Sequence, residues 1–258
     1  MKSCLREFRI QPLDIRSLTK DRETIVLEQT RLKNQLHSLL HHSYGSNYKS
    51  IFPDPFSKKA LLFWQSFPTA RNLKKSKKRN VIKPIWVKKI AFAELPETSL
   101  TQKNQIRRKV RRLLTIKEEL KEIEKELKIL VVSTGQKLDT LPGCGTVLSG
   151  TILSEIKDIN RFKMPSELAK YAGCAPRKQE SGKCKRYVKT KSGNRRLNKA
   201  IYQIALTQIS NQGIIKAKEY FQKKVKEGKS KKHALTCLKR QISDIIFSML
   251  KEKREYYP

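Results

Sequence analysis

The stretch Ile106–Leu130, IRRKVRRLLTIKEELKEIEKELKIL, decides the fold. Its apolar residues Ile106, Val110, Leu113, Ile116, Leu120, Ile123, Leu127 and Leu130 recur at alternating steps of three and four, with one extra step of three near Ile116. That period lines them up along one side of an α-helix, with coiled-coil-like spacing and a local stammer. Ser99 and Gln102 stand where a capping box would start this helix. The outer side changes from basic (Arg107, Arg108, Lys109, Arg111, Arg112) to acidic (Glu118, Glu119, Glu122, Glu124, Glu126). Such a seam must be covered. An antiparallel partner within the chain and a second copy of the chain both meet that need. Self-association through residues 100–131 is the expectation, because no other segment offers a seam of matching length.

On the N-terminal side, Leu18, Ile25, Leu32, Leu36 and Leu39 form a second helical stripe, stopped by His41-His42-Ser43-Tyr44-Gly45. Residues 45–58 carry Gly45, Pro53 and Pro55 and predict a loop, and Lys59 to Phe67 predicts a short apolar helix closed by Pro68. Arg71 to Lys89 holds no acid, and reads as a basic helical hairpin or as an arm ordered on binding. On the C-terminal side, Thr134 to Thr140 reads as a linker. Helices are predicted around Leu197, Ile201, Ile204 and Ala205, and along Leu235, Leu238, Ile242, Ile245 and Met249. Strand signals are few, with Lys183 to Thr190 as a hairpin or an extended loop. The expected class is mainly α, a helical bundle with one long coiled-coil-like helix. The expected divisions are a basic helical region over 1–98, the long helix over 99–133 and a C-terminal domain over 134–258.

Of 258 residues, 58 are Lys or Arg and 23 are Asp or Glu, a formal net charge of +35. A surface that basic has polyphosphate as its usual partner, because each neutralised phosphate releases counterions. No run approaches the ~18–20 apolar residues of a membrane span, and no signal-peptide core opens the chain. A cytoplasmic, nucleoid-associated protein with no membrane partner is expected. The five cysteines form no C-x-x-C pair and do not space with the histidines as zinc ligands, so reduced, mostly buried thiols are expected. No clustered carboxylates suggest a metal site, and no cofactor is expected in this chain.

Two segments carry candidate chemistry. Leu141-Pro142-Gly143-Cys144-Gly145-Thr146 has the form of a helix-hairpin-helix turn, or of a plain helix–helix connection. In the first case Gly143 and Gly145 permit close backbone approach, and the helix from Thr146 offers free N–H groups to a phosphate. The second segment is a strip holding Arg177, Lys178, Lys183, Lys185, Arg186, Lys189, Lys191, Arg195, Arg196 and Lys199, with Glu180 as its one acid. That density suits a groove tracking a phosphate backbone. Ser181 lies within it, beside Gly182. A serine attacks a phosphodiester when its proton is removed and cations meet the developing charge. Thr190 and Ser192 are competing hydroxyls.

These residues resemble the C-terminal domain of IS110 / IS116 / IS902 family transposases. The resemblance runs from Leu138 to about Ala217: Leu-Pro-Gly-x-Gly, Glu155-Ile156-Lys157-Asp158-Ile159-x-Arg161-Phe162, Leu168-Ala169-x-Tyr171-Ala172-Gly173, Glu180-Ser181-Gly182-Lys183, then Thr190-Lys191-x-Gly193-Asn194-x-x-Leu197. It implies DNA transposition by a DNA-binding recombinase, with a serine, here Ser181, attacking the DNA backbone. In that family the partner half of the site is a RuvC-like domain that binds divalent metal (Mg). That domain is expected to lie outside this chain, supplied from elsewhere. The family also uses an element-encoded guide RNA. A catalytically inactive nucleic-acid-binding remnant is the alternative, since Glu180 takes one of two adjacent places where family members often carry small or hydroxyl residues.

Overall fold

In a computed structural model of the chain, the described residues are 12–45, 48–49, 51–75, 99–175, 177–181, 184–188 and 192–257. Among them the chain is mainly α, with nine α-helices, two short 3-10 helices and one two-stranded hairpin. The helices are α1 (Pro12–Tyr44), α2 (Lys58–Ser66), α3 (Ala70–Lys75), α4 (Leu100–Ser133), α5 (Thr146–Ile156), α6 (Pro165–Tyr171), α7 (Arg195–Ile209), α8 (Ile215–Lys226) and α9 (Lys231–Glu252). The capping box forms at the start of α4: the Ser99 backbone N–H donates to Gln102 Oε1 (3.3 Å) and the Gln102 N–H donates to Ser99 Oγ (3.2 Å).

The chain divides into two compact units, Asp21–Ile123, and Met1–Lys20 with Glu124–Pro258. The helices α1 and α4 each contribute residues to both units. The physical reason is length: at ~1.5 Å per residue, a helix of 34 residues runs past the breadth of one small core.

In the Asp21–Ile123 unit, Ile106, Val110 and Leu113 of α4 are fully buried in one cluster with Leu36 and Leu40 of α1 and Ala60, Leu61 and Trp64 of α2. Of the two covers open to the seam, the one within the chain is in place over Ile106, Val110 and Leu113. The cover is intramolecular, from a helix and a loop-plus-helix segment whose shorter apolar stretches do not look like a matching seam in sequence. In the other unit, Leu127 and Val131 of α4 pack with Ile15. A larger cluster gathers Ile152 and Ile156 of α5, Leu168 of α6, Leu197, Ile201 and Ile204 of α7, and Leu238, Ile242 and Ile246 of α9. Among the described residues no helix is long and apolar enough to cross a membrane. The basic stretch Arg71–Lys89 lies, from residue 76 onward, outside the described residues.

The Thr134–Thr140 segment contains a 3-10 turn, Leu138–Thr140, so the element before the glycine turn is one short 3-10 turn. The hairpin is β1 (Arg177–Ser181) paired antiparallel with β2 (Cys184–Val188), beginning before the Lys183–Thr190 window expected from sequence.

Candidate nucleic-acid interface

The turn entering α5 separates the roles of its two glycines. The Cys144 N–H donates to the Leu141 carbonyl at 2.8 Å, with Pro142 and Gly143 at the corner. Gly143 has φ +86°, and an added Cβ would lie 3.0 Å from Thr207 Cβ. Pro before a positive-φ Gly is the composition of a type II turn. Gln208 Nε2 locks the turn by donating to the Pro142 carbonyl at 2.9 Å. Gly145, by contrast, has φ −73° and nothing within 4 Å of an added Cβ. Neither its φ nor steric crowding requires glycine there, and its one local role is at the helix start, where glycine is preferred to alanine. Gly145 is the N-cap of α5, no side chain caps it, and the first turn carries no acid. The N–H groups of that turn open on an exposed glycine and a half-buried Thr146.

The basic strip emerges from a rigid neck. α6 ends in a Schellman motif: Gly173 N–H donates to the Lys170 carbonyl (3.0 Å) and Cys174 N–H to the Ala169 carbonyl (2.8 Å), with Gly173 at φ +65°. The returning chain crosses at Gly193, φ +116°, where a Cβ would meet the Gly173 nitrogen at 2.8 Å. No side chain fits between the two backbones. Asn198 pins the outgoing strand, donating from Nδ2 to the Ala172 (2.6 Å) and Gly173 (3.1 Å) carbonyls, while its Oδ1 accepts from Lys239 Nζ at 2.7 Å. Asn194 pins the returning one. Its backbone N–H donates to the Tyr171 carbonyl (2.7 Å), and its Oδ1 caps α7 through the Leu197 N–H (3.0 Å).

Behind the neck lies Glu155, only 4% exposed. Its carboxylate accepts from Arg196 Nη1 and Asn194 Nδ2, both at 2.6 Å, with Arg16 Nε at 3.8 Å. Its backbone carbonyl accepts from the Tyr171 hydroxyl (3.2 Å) and Arg161 Nη2 (3.3 Å). The Arg161 guanidinium sits 4.6 Å from the Phe162 ring centroid and 4.5 Å from that of Tyr171. A buried carboxylate persists only when paired and hydrogen-bonded. Here the pairing ties α5, α6 and α7 together at the root of the hairpin.

The structure separates the sequence-chosen residues. Arg195 is exposed at the start of α7, whereas Arg196, ~100° further round the helix, turns inward to Glu155 and also donates to Thr19 Oγ1 at 3.3 Å. Arg177, Lys178 and Ser181 lie on β1, and Lys185 and Arg186 on β2. Ser181 ends β1 in register with Cys184, while Glu180 is in register with Lys185 and Gln179 with Arg186. Ser181 and Glu180 therefore occupy alternate positions of the strand. Lys183, Lys189 and Lys191 lie outside the described residues. The hairpin strip and the Gly143–Thr146 turn belong to one unit. Sequence reasoning missed Glu155, Asn194, Tyr171 and Asn198 as a bonded set. Their signal was present as the spaced Glu155, Tyr171 and Asn194 matches, without any indication that they meet.

Cys144 and Cys174 are buried and free, and burial pushes the Cys144 thiol up to about 11. Among the described residues no group of three His, Cys, Asp or Glu side chains is placed to hold a metal ion.

Residues 135–222 match the Transposase IS116/IS110/IS902 family. The chain is 24% identical to the 44.8 kDa protein of insertion element IS116 from Streptomyces clavuligerus, over 95% of this chain and 65% of that protein. It is 30% identical to the 42 kDa protein of insertion element IS900 from Mycobacterium paratuberculosis, over 46% of this chain and 30% of that protein. It is also 30% identical to the pilin gene-inverting protein of Moraxella bovis, over 46% of this chain and 37% of that protein. The chain thus spans less than two thirds of the length of these relatives.

Proposed function

We propose that the chain, whose residues 135–222 match the Transposase IS116/IS110/IS902 family, acts in DNA transposition or recombination. In this reading the β1–β2 hairpin is the DNA-facing element and Ser181 is the attacking hydroxyl. One observation carries it: the serine-bearing hairpin springs from a neck immobilised by the Gly173–Gly193 crossing and by Asn194 and Asn198. A nucleophile must be held within a few tenths of an ångström of its target for orientation to contribute to rate.

Ser181 Oγ would bond to phosphorus as one P–O ester bond breaks. The serine proton passes to a base, and the released strand end leaves as a hydroxyl. Because one ester replaces another, rejoining needs no outside energy source. Strand alternation puts Arg177 and Arg186 in the Ser181 set of register positions, so they are the proposed counter-charges for the pentacoordinate phosphorane. Glu180 falls in the other set, opposite Lys185. Lys178, Lys183, Lys185, Lys189, Lys191 and Arg195 are the proposed phosphate contacts along the strip. Gly145 and Thr146 offer the open N-terminus of α5 to a further phosphate. Arg196 serves from within, by holding Glu155. The metal-binding groups of the family's other half are not assigned to this chain.

The test mixes the chain with element-end DNA and Mg2+, with and without a separately supplied RuvC-like domain, and seeks a covalent protein–DNA adduct. The expected adduct disappears with Ser181→Ala. An adduct that survives Ser181→Ala moves the nucleophile elsewhere. No adduct in either mixture leaves a nucleic-acid-binding protein without strand-transfer activity.

A further inference from the structure

Beside the neck, a groove of about 1060 Å³ runs between α7, α8 and α9. Arg195, Lys199, Lys229, Lys232, Lys239 and Arg240 line it, together with His233, and among the described residues no acid does. Three of these cations already have partners: Lys239 on Asn198, Lys229 on Glu227 and Arg240 on Asp244. Arg195, Lys199 and Lys232 are exposed, with no hydrogen bond or ion pair to another described side chain.

The pattern along α7 is the informative part. Its buried face is Leu197, Ala200, Ile201, Ile204, Ala205 and Gln208. Its groove side carries Arg195, Lys199 and Tyr202, at steps of four and three. Tyr202 is 41% exposed, so its ring is accessible from the groove. Across from them, the first turn of α9 after its Ser230 cap holds Lys231, Lys232 and His233 and no acid. Cations there oppose the helix dipole, which favours negative charge at this end. Lys239 Nζ lies 5.9 Å from the Tyr202 ring centroid, and the ring is otherwise partly exposed. Two cations followed by such a ring, facing a third cationic element, are the composition of a stacking platform beside a phosphate track.

We propose that this groove binds an unpaired nucleic-acid strand, with Arg195, Lys199 and Lys232 on phosphates and a base stacked on Tyr202. A base inside a duplex has both faces covered and cannot reach the ring; only an unstacked one can. From Arg195 to Tyr202 is about 10 Å along the helix, the axial span of roughly three phosphates of a stacked strand. The proposal takes its ligand class from the nucleic-acid reading of the hairpin and otherwise stands on the groove itself.

The experiment uses the full chain carrying Ser181→Ala, so that no covalent step enters. Fluorescent oligo(dT), oligo(U) and an oligo(dT)·oligo(dA) duplex are titrated at several salt concentrations. Tyr202→Ala is expected to weaken single-strand binding about tenfold, Tyr202→Phe to preserve it, and duplex binding to change little. Lys199→Ala and Lys232→Ala each reduce the salt slope for the strand by about 0.7. Oligo(dT) should also slow alkylation of Cys237, which lines the groove, as read by peptide mapping, and lose that protection in Tyr202→Ala. A preference for oligo(U) over oligo(dT) identifies RNA as the source of the strand, and the reverse identifies DNA. An unchanged affinity in Tyr202→Ala, or an equal loss for strand and duplex, overturns the proposal. If strand binding depends on Tyr202 while the wild-type chain forms no DNA adduct, the groove stands and the serine reading falls.

Discussion

Residues 21–123 close around aromatic rings, whereas the unit containing residues 124–258 closes around aliphatic side chains and one buried carboxylate. In the first, Trp64 meets Tyr44 (5.2 Å between ring centroids), Phe63 (4.9 Å) and Phe52 (5.7 Å), and its indole N–H donates to the Pro55 carbonyl at 2.9 Å. The Tyr44 hydroxyl donates to the Phe67 carbonyl, and burial raises its pKa. Charges stay on the rim there, as in the exposed Arg112–Glu28 pair at 2.9 Å. In the second unit Glu155 is the only carboxylate buried among the described residues. Apolar packing is non-directional and tolerates small shifts. A buried ion bonded on every side tolerates few. Directional bonds are concentrated where the fold must aim a hairpin, and non-directional packing where it need only hold helices together.

That contrast can be broken first by volume. Trp64→Ala should cost ~3–5 kcal/mol, with the loss of amide protection confined to residues 21–123 in hydrogen exchange; protection lost equally across Glu124–Pro258 would contradict it. Removing the charge tests the other side. Glu155→Ala strands Arg196 and should cost about 3–5 kcal/mol in urea denaturation. Glu155→Gln, which keeps the shape, should cost less. Equal losses for the two variants would mean that the carboxylate acts by packing alone. Gly193→Ala should cost ~1–3 kcal/mol from backbone strain, with more from its clash against Gly173. Gly145→Ala, which meets neither strain nor clash, should cost less, about 1 kcal/mol or below from the poorer N-cap.

The smallest effect concerns pH. Burial, with a lesser contribution from Lys49, holds the His37 imidazole below its ordinary value, where it bonds the Tyr48 hydroxyl and meets the Phe56 ring edge at 4.6 Å. Above the unfolded value of ~6.5 both states are neutral, and the full stability of residues 21–123 is present. As pH falls through that value towards the lower folded one, the unfolded chain takes up the proton first and stability is lost. A midpoint series in urea across that window should show a slope that His37→Gln removes.

The helices were legible because their causes are local. The seam from Ile106 to Leu130, the Ser99–Gln102 box and the stop at Gly45 can each be read within a few residues. α8 was passed over, since its many lysines hide the short apolar side formed by Ala217 and Tyr220. In the candidate site, Ser181 and the basic strip were visible as composition, and the hairpin boundaries were displaced because polar strands carry little alternation. Arg195 and Arg196 looked equivalent in sequence, and helix geometry sends them to opposite tasks.

Sequence alone determined the helical class, the charge that suits polyphosphate and the resemblance to a transposase family, because periodicity, net charge and spaced motifs are properties of the chain itself. Only the tertiary structure decided that Ile106, Val110 and Leu113 of the long seam are covered from within and that Glu155 meets Arg196 and Asn194 across 41 and 39 residues. It also decided that Arg195, Lys199 and Tyr202 face a groove with Lys232. Each of these is a meeting of distant segments, set by how several cores close at once, and no local pattern encodes such a meeting.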